Sequence, residues 1–324
     1  MISTNDSIKI INPINQLKLF NYAAYFDLFV NLFNKKKMPN SILLTGHKGI
    51  GKATFAYHIV NYLLSKNEEH AYIAKDFEIN KLNQSYQLIN AKTHPNFFLI
   101  ENDSSSKDIK IEEVRNLLKF VSKSTYGEGF KIVMIDNAEN LNINSSNALL
   151  KSIEEPDDRT FFIIIHDSSK KILNTIKSRC TEFKFFKDSK DKREILSNLL
   201  RNYDVNIDYD IPLDNFYYET PGNLLKYIFS LKSLKSNIFN DQLKAIFFLI
   251  DNYKKEKNIE VLSYISFFIQ RFYNNLLQNY DKNLTNVFHN YMLISQRINK
   301  MKKYNLDEKN TFFSIKDILT NETK

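Results

Sequence analysis

The residues best suited to chemistry lie in "LLTGHKGIGKAT", where Gly46, His47, Lys48, Gly49, Ile50, Gly51, Lys52, Ala53 and Thr54 follow an apolar run and open a helical pattern. Gly-x-x-x-x-Gly-Lys is the spacing of a phosphate-binding loop, in which backbone N–H groups wrap phosphate oxygens and the lysine reaches the β- and γ-phosphates. Three of the chain's six glycines fall here, at 46, 49 and 51. The position that normally supplies a Ser or Thr hydroxyl to magnesium is Ala53. Thr54 is no substitute, because one further residue along a helix turns a side chain by about 100°. The loop is expected to hold ATP or ADP without turnover, with the metal poorly held.

The second half of such a site is "FKIVMIDNAEN", an apolar strand ending on Asp136. Asp136 suits magnesium orientation, but the neighbouring position, where a hydrolytic site places a Glu to take a proton from the attacking water, is Asn137. An amide cannot accept that proton. Glu139 is left as either a displaced base or an ordinary solvated or capping residue. Asp136 and Asn137 therefore read as a degenerate Walker B pair.

These residues need a sheet to hold them. "SILLTG", "NFFLI" (96–100), "FKIVMID" (130–136) and "TFFIIIH" (160–166) read as strands. Between them, Phe55, Ile59 and Leu63 share one helical face, and Val114, Leu117, Leu118 and Val121 share another. Strands alternating with helices indicate a parallel sheet covered on both faces, and continuous apolar runs mark central strands. After about residue 188 only helical patterns follow, with a softer boundary near 235.

The chain has 324 residues, net charge +8, six Gly, six Pro and one Cys. That length favours two or three domains, and the scarcity of breakers favours an ordered, mostly helical chain. The positive balance suits acidic partners such as nucleic acid, but heavy use of Lys, Asn and Ile throughout also explains it. The single cysteine, Cys180, excludes an internal disulfide. No run is long enough to cross a bilayer and the first residues lack a signal-peptide pattern, so a cytoplasmic protein is expected.

With "LLTGHKGIGKATFAYHIVNYLL", "FKIVMIDNAENLNINSSNALLKSIEEP" and "TIKSRC" in that order, the chain resembles the delta prime family of the bacterial DNA polymerase III clamp loader, a relative of the AAA+ ATPases. The resemblance covers residues 1 to about 235; beyond that only helical character and length match. It implies an AAA+ type α/β P-loop domain at 1–187, a small helical lid at 188–235 and an all-α collar at 236–324. It also implies assembly with gamma/tau ATPase subunits and a delta subunit, to load the sliding clamp on primed DNA. Ser178, Arg179 and Cys180 match an interface motif whose arginine enters a neighbouring subunit's ATP site; the alternative is an arginine paired within its own domain.

The sequence departs from the family pattern in several places. Many members carry four cysteines in a zinc-binding insertion, and residues 64–93 have none, so zinc is not expected. Gly222 or Asn223 occupies the place of a nucleotide-sensing arginine, and Asp167 or Ser168 stands near the first sensor position. Lys48 reads as solvated, and the cluster Lys35, Lys36, Lys37, expected on the helix before the first strand, is either solvated or faces DNA. The competing functions are an active DNA-dependent ATPase, such as a motor subunit or helicase loader, and a nucleotide sensor outside replication. Ala53 and Asn137 weigh against the first, and the Ser178-Arg179-Cys180 triplet against the second.

Overall fold

A computed structural model describes residues 10–101, 108–127, 129–203, 219–231, 241–279, 284–304 and 307–322. The elements run α1 (Ala23–Asn34), β1 (Ser41–Gly46), α2 (Lys52–Leu64), α3 (Gln84–Asn90), β2 (Phe97–Ile100), α4 (Ile111–Val121), β3 (Lys131–Ile135) and α5 (Ile143–Glu154). There follow β4 (Thr160–Asp167), α6 (Asn174–Lys177), β5 (Thr181–Lys184), α7 (Ser189–Asn202), α8 (Pro221–Leu231), α9 (Gln242–Glu256), α10 (Ile259–Asn279), α11 (Leu284–Tyr304) and α12 (Glu308–Asn321).

The strands form one parallel sheet in the order β2-β3-β4-β1-β5. In β1, β3 and β4 successive side chains alternate between two cores. Ile42, Leu44, Ile132, Met134, Ile163 and Ile165 pack with Phe26, Phe29 and Phe55 from α1 and α2. Leu43, Val133, Ile135, Phe162 and Ile164 pack with Val114, Leu117, Leu149 and Ile176 from α4, α5 and α6. Because both faces are covered, these strands are apolar at nearly every position rather than at every second one.

The packing divides the chain into two units. Met1–Asn206 with Leu213–Leu225 form the first, and Ile207–Pro212 with Lys226–Lys324 form the second. The expected boundary near 188 falls inside the first unit, since α7 lies within it, while the expected boundary near 235 lies outside the described residues. The N-terminal segment read for a signal peptide also lies largely outside them. In the second unit, α10 packs on α9 and α11, and α12 on α11 and α9, around Ile246, Leu249, Ile265, Phe268, Ile294, Phe312 and Ile315. None of the helices is long and apolar enough to cross a membrane among the described residues.

Two details differ from the sequence reading. The fifth strand, β5, was not visible in it. Lys35, Lys36 and Lys37 do not sit on α1: the helix stops at Asn34, Lys36 adopts a left-handed φ of 54°, and Lys36 and Lys37 return their N–H groups to Phe33 and Leu32. A lysine run just past a helix C-terminus sits favourably against the carbonyl end of the helix dipole.

Candidate functional site

The glycine loop leaves the carboxyl end of β1, where Gly46 lies in register with Asp167 of β4. Gly49 and Gly51 have φ of 82° and 106°, a region costly for any residue with a Cβ. Gly51 is the N-cap of α2, so the loop delivers the chain directly into the helix bearing Lys52, Ala53 and Thr54. Tyr22 backs the loop: its hydroxyl donates to the Ile50 carbonyl, and a Cβ on Gly51 would meet its ring at 3.3 Å. Burial keeps that phenol protonated far beyond its ordinary range.

Lys52 does not project into open space. Its ammonium donates to the loop's own carbonyls, Gly46 at 2.6 Å and His47 at 3.0 Å, and the residue is 6% exposed. Burial lowers its pKa to about 8, against the opposing influence of Asp167, Asp136 and Glu139. Lys48 is exposed, but its carbonyl accepts from Thr220 Oγ1 at 2.8 Å, and the Gly49 carbonyl accepts from Gly222 N–H at 2.9 Å. The backbone of Gly222 thus lies directly on the loop. Asn223 approaches the same spot, its backbone N 3.0 Å from where a Gly49 Cβ would be. Both residues weighed for the sensing arginine's place are therefore at the loop, and neither brings a cation.

Asp136 follows β3. Its Oδ1 accepts the Asn137 N–H at 2.9 Å, with Asn137 itself at a left-handed φ of 56°. Burial raises the Asp136 carboxyl above its usual range, with Glu139 adding to the rise, against the pull of the Asn137 N–H and the Lys52 charge. Glu139 is neither solvated nor free to act as a base. Its side chain is 1% exposed, Oε2 accepts the Asp167 N–H at 3.1 Å, and Oε1 pairs with Lys170 at 3.3 Å. It is a brace between the ends of β3 and β4.

Asp167 is buried and Ser168 exposed, so of the two first-sensor candidates it is Asp167 that the Lys52 charge acts on. Burial would raise the Asp167 carboxyl, but hydrogen bonds from Ser169 and the charges of Lys52 and Lys170 outweigh it and hold the pKa below the usual range.

Arg179 sits at the turn between α6 and β5, away from the loop in sequence. Its Nε donates to Glu154 Oε2 at 2.8 Å and its Nη1 to the Thr175 carbonyl at 3.1 Å, leaving the side chain 30% exposed. Ser178 is exposed and bonds back to Thr175, and burial pushes the Cys180 thiol up to about 11, which makes it an inert packing residue. The domain-internal pairing weighed for Arg179 is thus present.

Three features of these groups bear on nucleotide chemistry. The hydroxyl is replaced by Ala53, the base by Asn137, and the lysine is committed to loop carbonyls.

Residues 22–189, just over half of the chain, match the family model described as "DNA polymerase III, delta subunit". The chain belongs to the DNA polymerase III delta prime family. A delta prime subunit of Pseudomonas aeruginosa is 35% identical over 48% of this chain and 45% of its own length. One of Buchnera aphidicola subsp. Baizongia pistaciae is 28% identical over 71% of this chain and 66% of its own length. The match therefore spans about half to two thirds of these relatives. A gamma/tau subunit of Mycoplasma genitalium is 28% identical over 61% of this chain and 32% of its own length. Among solved structures, a DNA polymerase III gamma subunit-related protein of Thermotoga maritima superposes with a TM-score of 0.51 at 17% identity, over 91% of this chain and 99% of that one. The parallel sheet with its glycine loop is the AAA+ type of P-loop fold, followed by a helical C-terminal part.

Proposed function

We propose that this delta prime family member is a non-hydrolysing subunit of a clamp loader. It assembles with gamma/tau ATPase subunits and a delta subunit to load the sliding clamp on primed DNA. The observation that carries this reading is Lys52, the one intact catalytic group of the loop, whose ammonium is spent on the Gly46 and His47 carbonyls beside an Ala53 that offers no metal ligand. Any ATP or ADP retained by residues 46–54 is held without turnover, and no zinc takes part. The helical lid at 188–235 and collar at 236–324 complete the assignment, with the collar as the assembly element.

In this reading Arg179 acts on nucleotide held by a neighbouring ATPase subunit. Its guanidinium is partly exposed and donates through Nε to Glu154 and through Nη1 to the Thr175 carbonyl, and a neighbour's triphosphate would take the place of Glu154 as acceptor. Likeness to gamma/tau subunits favours a second reading, an active DNA-dependent ATPase, which Ala53 and Asn137 oppose.

The test is reconstitution with ATPase and delta subunits of the same organism. The isolated chain should hydrolyse no ATP above background. In the complex, Arg179→Ala should assemble normally and lower clamp- and DNA-stimulated hydrolysis, by less than the roughly 10³ to 10⁵ of a sole trans finger because several sites contribute. Robust turnover by the isolated chain, abolished by Lys52→Ala, would establish the second reading instead.

A further inference from the structure

A cavity of about 840 Å³ opens at the carboxyl ends of β1, β4 and β5. It touches only the first two loop residues, Gly46 and His47, and none of Lys48 to Thr54, so it lies to one side of the phosphate loop. In an open parallel sheet, ligands favour the carboxyl ends of strands where the order reverses, and here β1 lies between β4 and β5. Its volume is in the range of small-ligand sites.

The walls are basic. Lys170, Lys171, Lys177 and Lys184 line the cavity, opposed by two carboxylates, Glu139 and Glu182. Both acids are committed internally: Glu139 to Lys170 and the Asp167 N–H, Glu182 to Thr45 Oγ1 at 2.8 Å and Lys177 at 3.5 Å. Lys171 and Lys184 are exposed and make no ion pair among the described residues. Four lysines against two carboxylates leave the cavity a positive excess.

The β4–α6 turn is held in place. Ser168 N–H donates to the Gly46 carbonyl at 3.1 Å, and Lys170 N–H to the Asp167 carbonyl at 2.9 Å. His166, 6% exposed, lies 3.1 Å through Nε2 from the Lys170 carbonyl, which fixes the proton on Nε2. Its Nδ1 is buried and without a hydrogen-bond partner among the described residues. At the rim stands Phe186, its aromatic ring 75% exposed.

Lysines for phosphate oxygens and an open ring on which a base can stack are together what a nucleotide requires. We propose that this cavity binds a nucleoside phosphate, free or as the phosphorylated end of a single strand, separately from the phosphate loop.

Two probes test it by calorimetric titration of the full chain at low salt: adenosine monophosphate and a 5′-phosphorylated hexathymidylate. Saturation by the mononucleotide marks a free nucleotide as the ligand; saturation by the oligonucleotide alone marks a strand end. Lys171→Glu with Lys184→Glu should weaken whichever binds by about tenfold or more, and raised salt should weaken it further. Phe186→Ala should cost roughly fivefold or more. All three side chains are exposed, so the variants should fold, which circular dichroism checks. Binding of neither probe, unchanged affinity in these variants, or loss only in the phosphate-loop variant Lys48→Glu overturns the proposal.

Discussion

Gly222 donates its backbone N–H to the carbonyl of Gly49 at 2.9 Å, and neither residue has room for a side chain. A Cβ on Gly222 would lie 2.7 Å from the Gly49 oxygen, and one on Gly49 would lie 2.5 Å from Thr220 Oγ1. At Gly222 the start of α8 thus meets the loop backbone to backbone, with the Thr220 hydroxyl beside it on the Lys48 carbonyl. Gly222→Ala must push two main chains apart, at a cost of about 1 to 3 kcal/mol. It should lower the melting temperature of the first unit, whereas Gly127→Ala, with no atom within 4 Å of the added carbon, reports only the strain of its positive φ. A Gly222→Ala variant as stable as the parent would show that the two segments do not meet in solution.

The Glu154–Arg179 pair is partly solvent-exposed, so as a contribution to stability it is worth at most about 1 kcal/mol. Glu154→Gln should leave the melting temperature within a degree or two. If Arg179 acts on a neighbour's phosphates, the same change should leave the reconstituted complex's ATPase intact or raised, because the arginine loses an internal competitor. A Glu154→Gln loss as large as that of Arg179→Ala would mean that the pair itself, as a structural clamp, is what the assembly needs.

His58 is fully buried, with Nε2 2.9 Å from the Gln16 carbonyl and Nδ1 2.8 Å from the Tyr72 hydroxyl. The carbonyl requires Nε2–H, so Tyr72 donates to Nδ1 and the ring is neutral. Burial lowers its pKa to about 4 from an ordinary 6.5. Between those values the unfolded chain binds more protons than the folded one, so this residue's contribution to stability falls as pH drops from about 6.5 to about 4 and is constant above. Urea midpoints across that window should decline less steeply in His58→Gln than in the parent. Parallel curves would remove His58 as the source.

The central strands were legible because burial on both faces writes itself as unbroken apolar runs at 42–44, 132–135 and 162–165. β5 was not, since an edge strand of four residues, "TEFK", carries no such run. The loop was visible in its glycines and lysine, and the missing hydroxyl and base were visible as Ala53 and Asn137. The partners of those residues were not. Glu139 reaches Asp167 and Lys170 about 30 residues on, and Lys48 meets Thr220 at a separation of 172; spacing rules describe neighbours along one element and are silent on such closures. Nor could sequence say that Arg179 is paired with Glu154, since either fate suits a guanidinium.

The Gly49–Gly222 contact also has a place in time. Its partners are separated by most of the first unit, so it cannot form until β1, β3 and β4 have been made and assembled, and closing so long a segment belongs among the slow steps of folding. During synthesis the glycine loop leaves the ribosome well before residue 222 does, and spends that interval without its cover. In pulse-labelled refolding, protection of the Gly222 amide should therefore trail that of the β1 and β4 amides; simultaneous protection would place the closure within the folding nucleus. Before that closure the chain passes, once in its life, through a form in which nothing from residue 222 lies across the glycine loop.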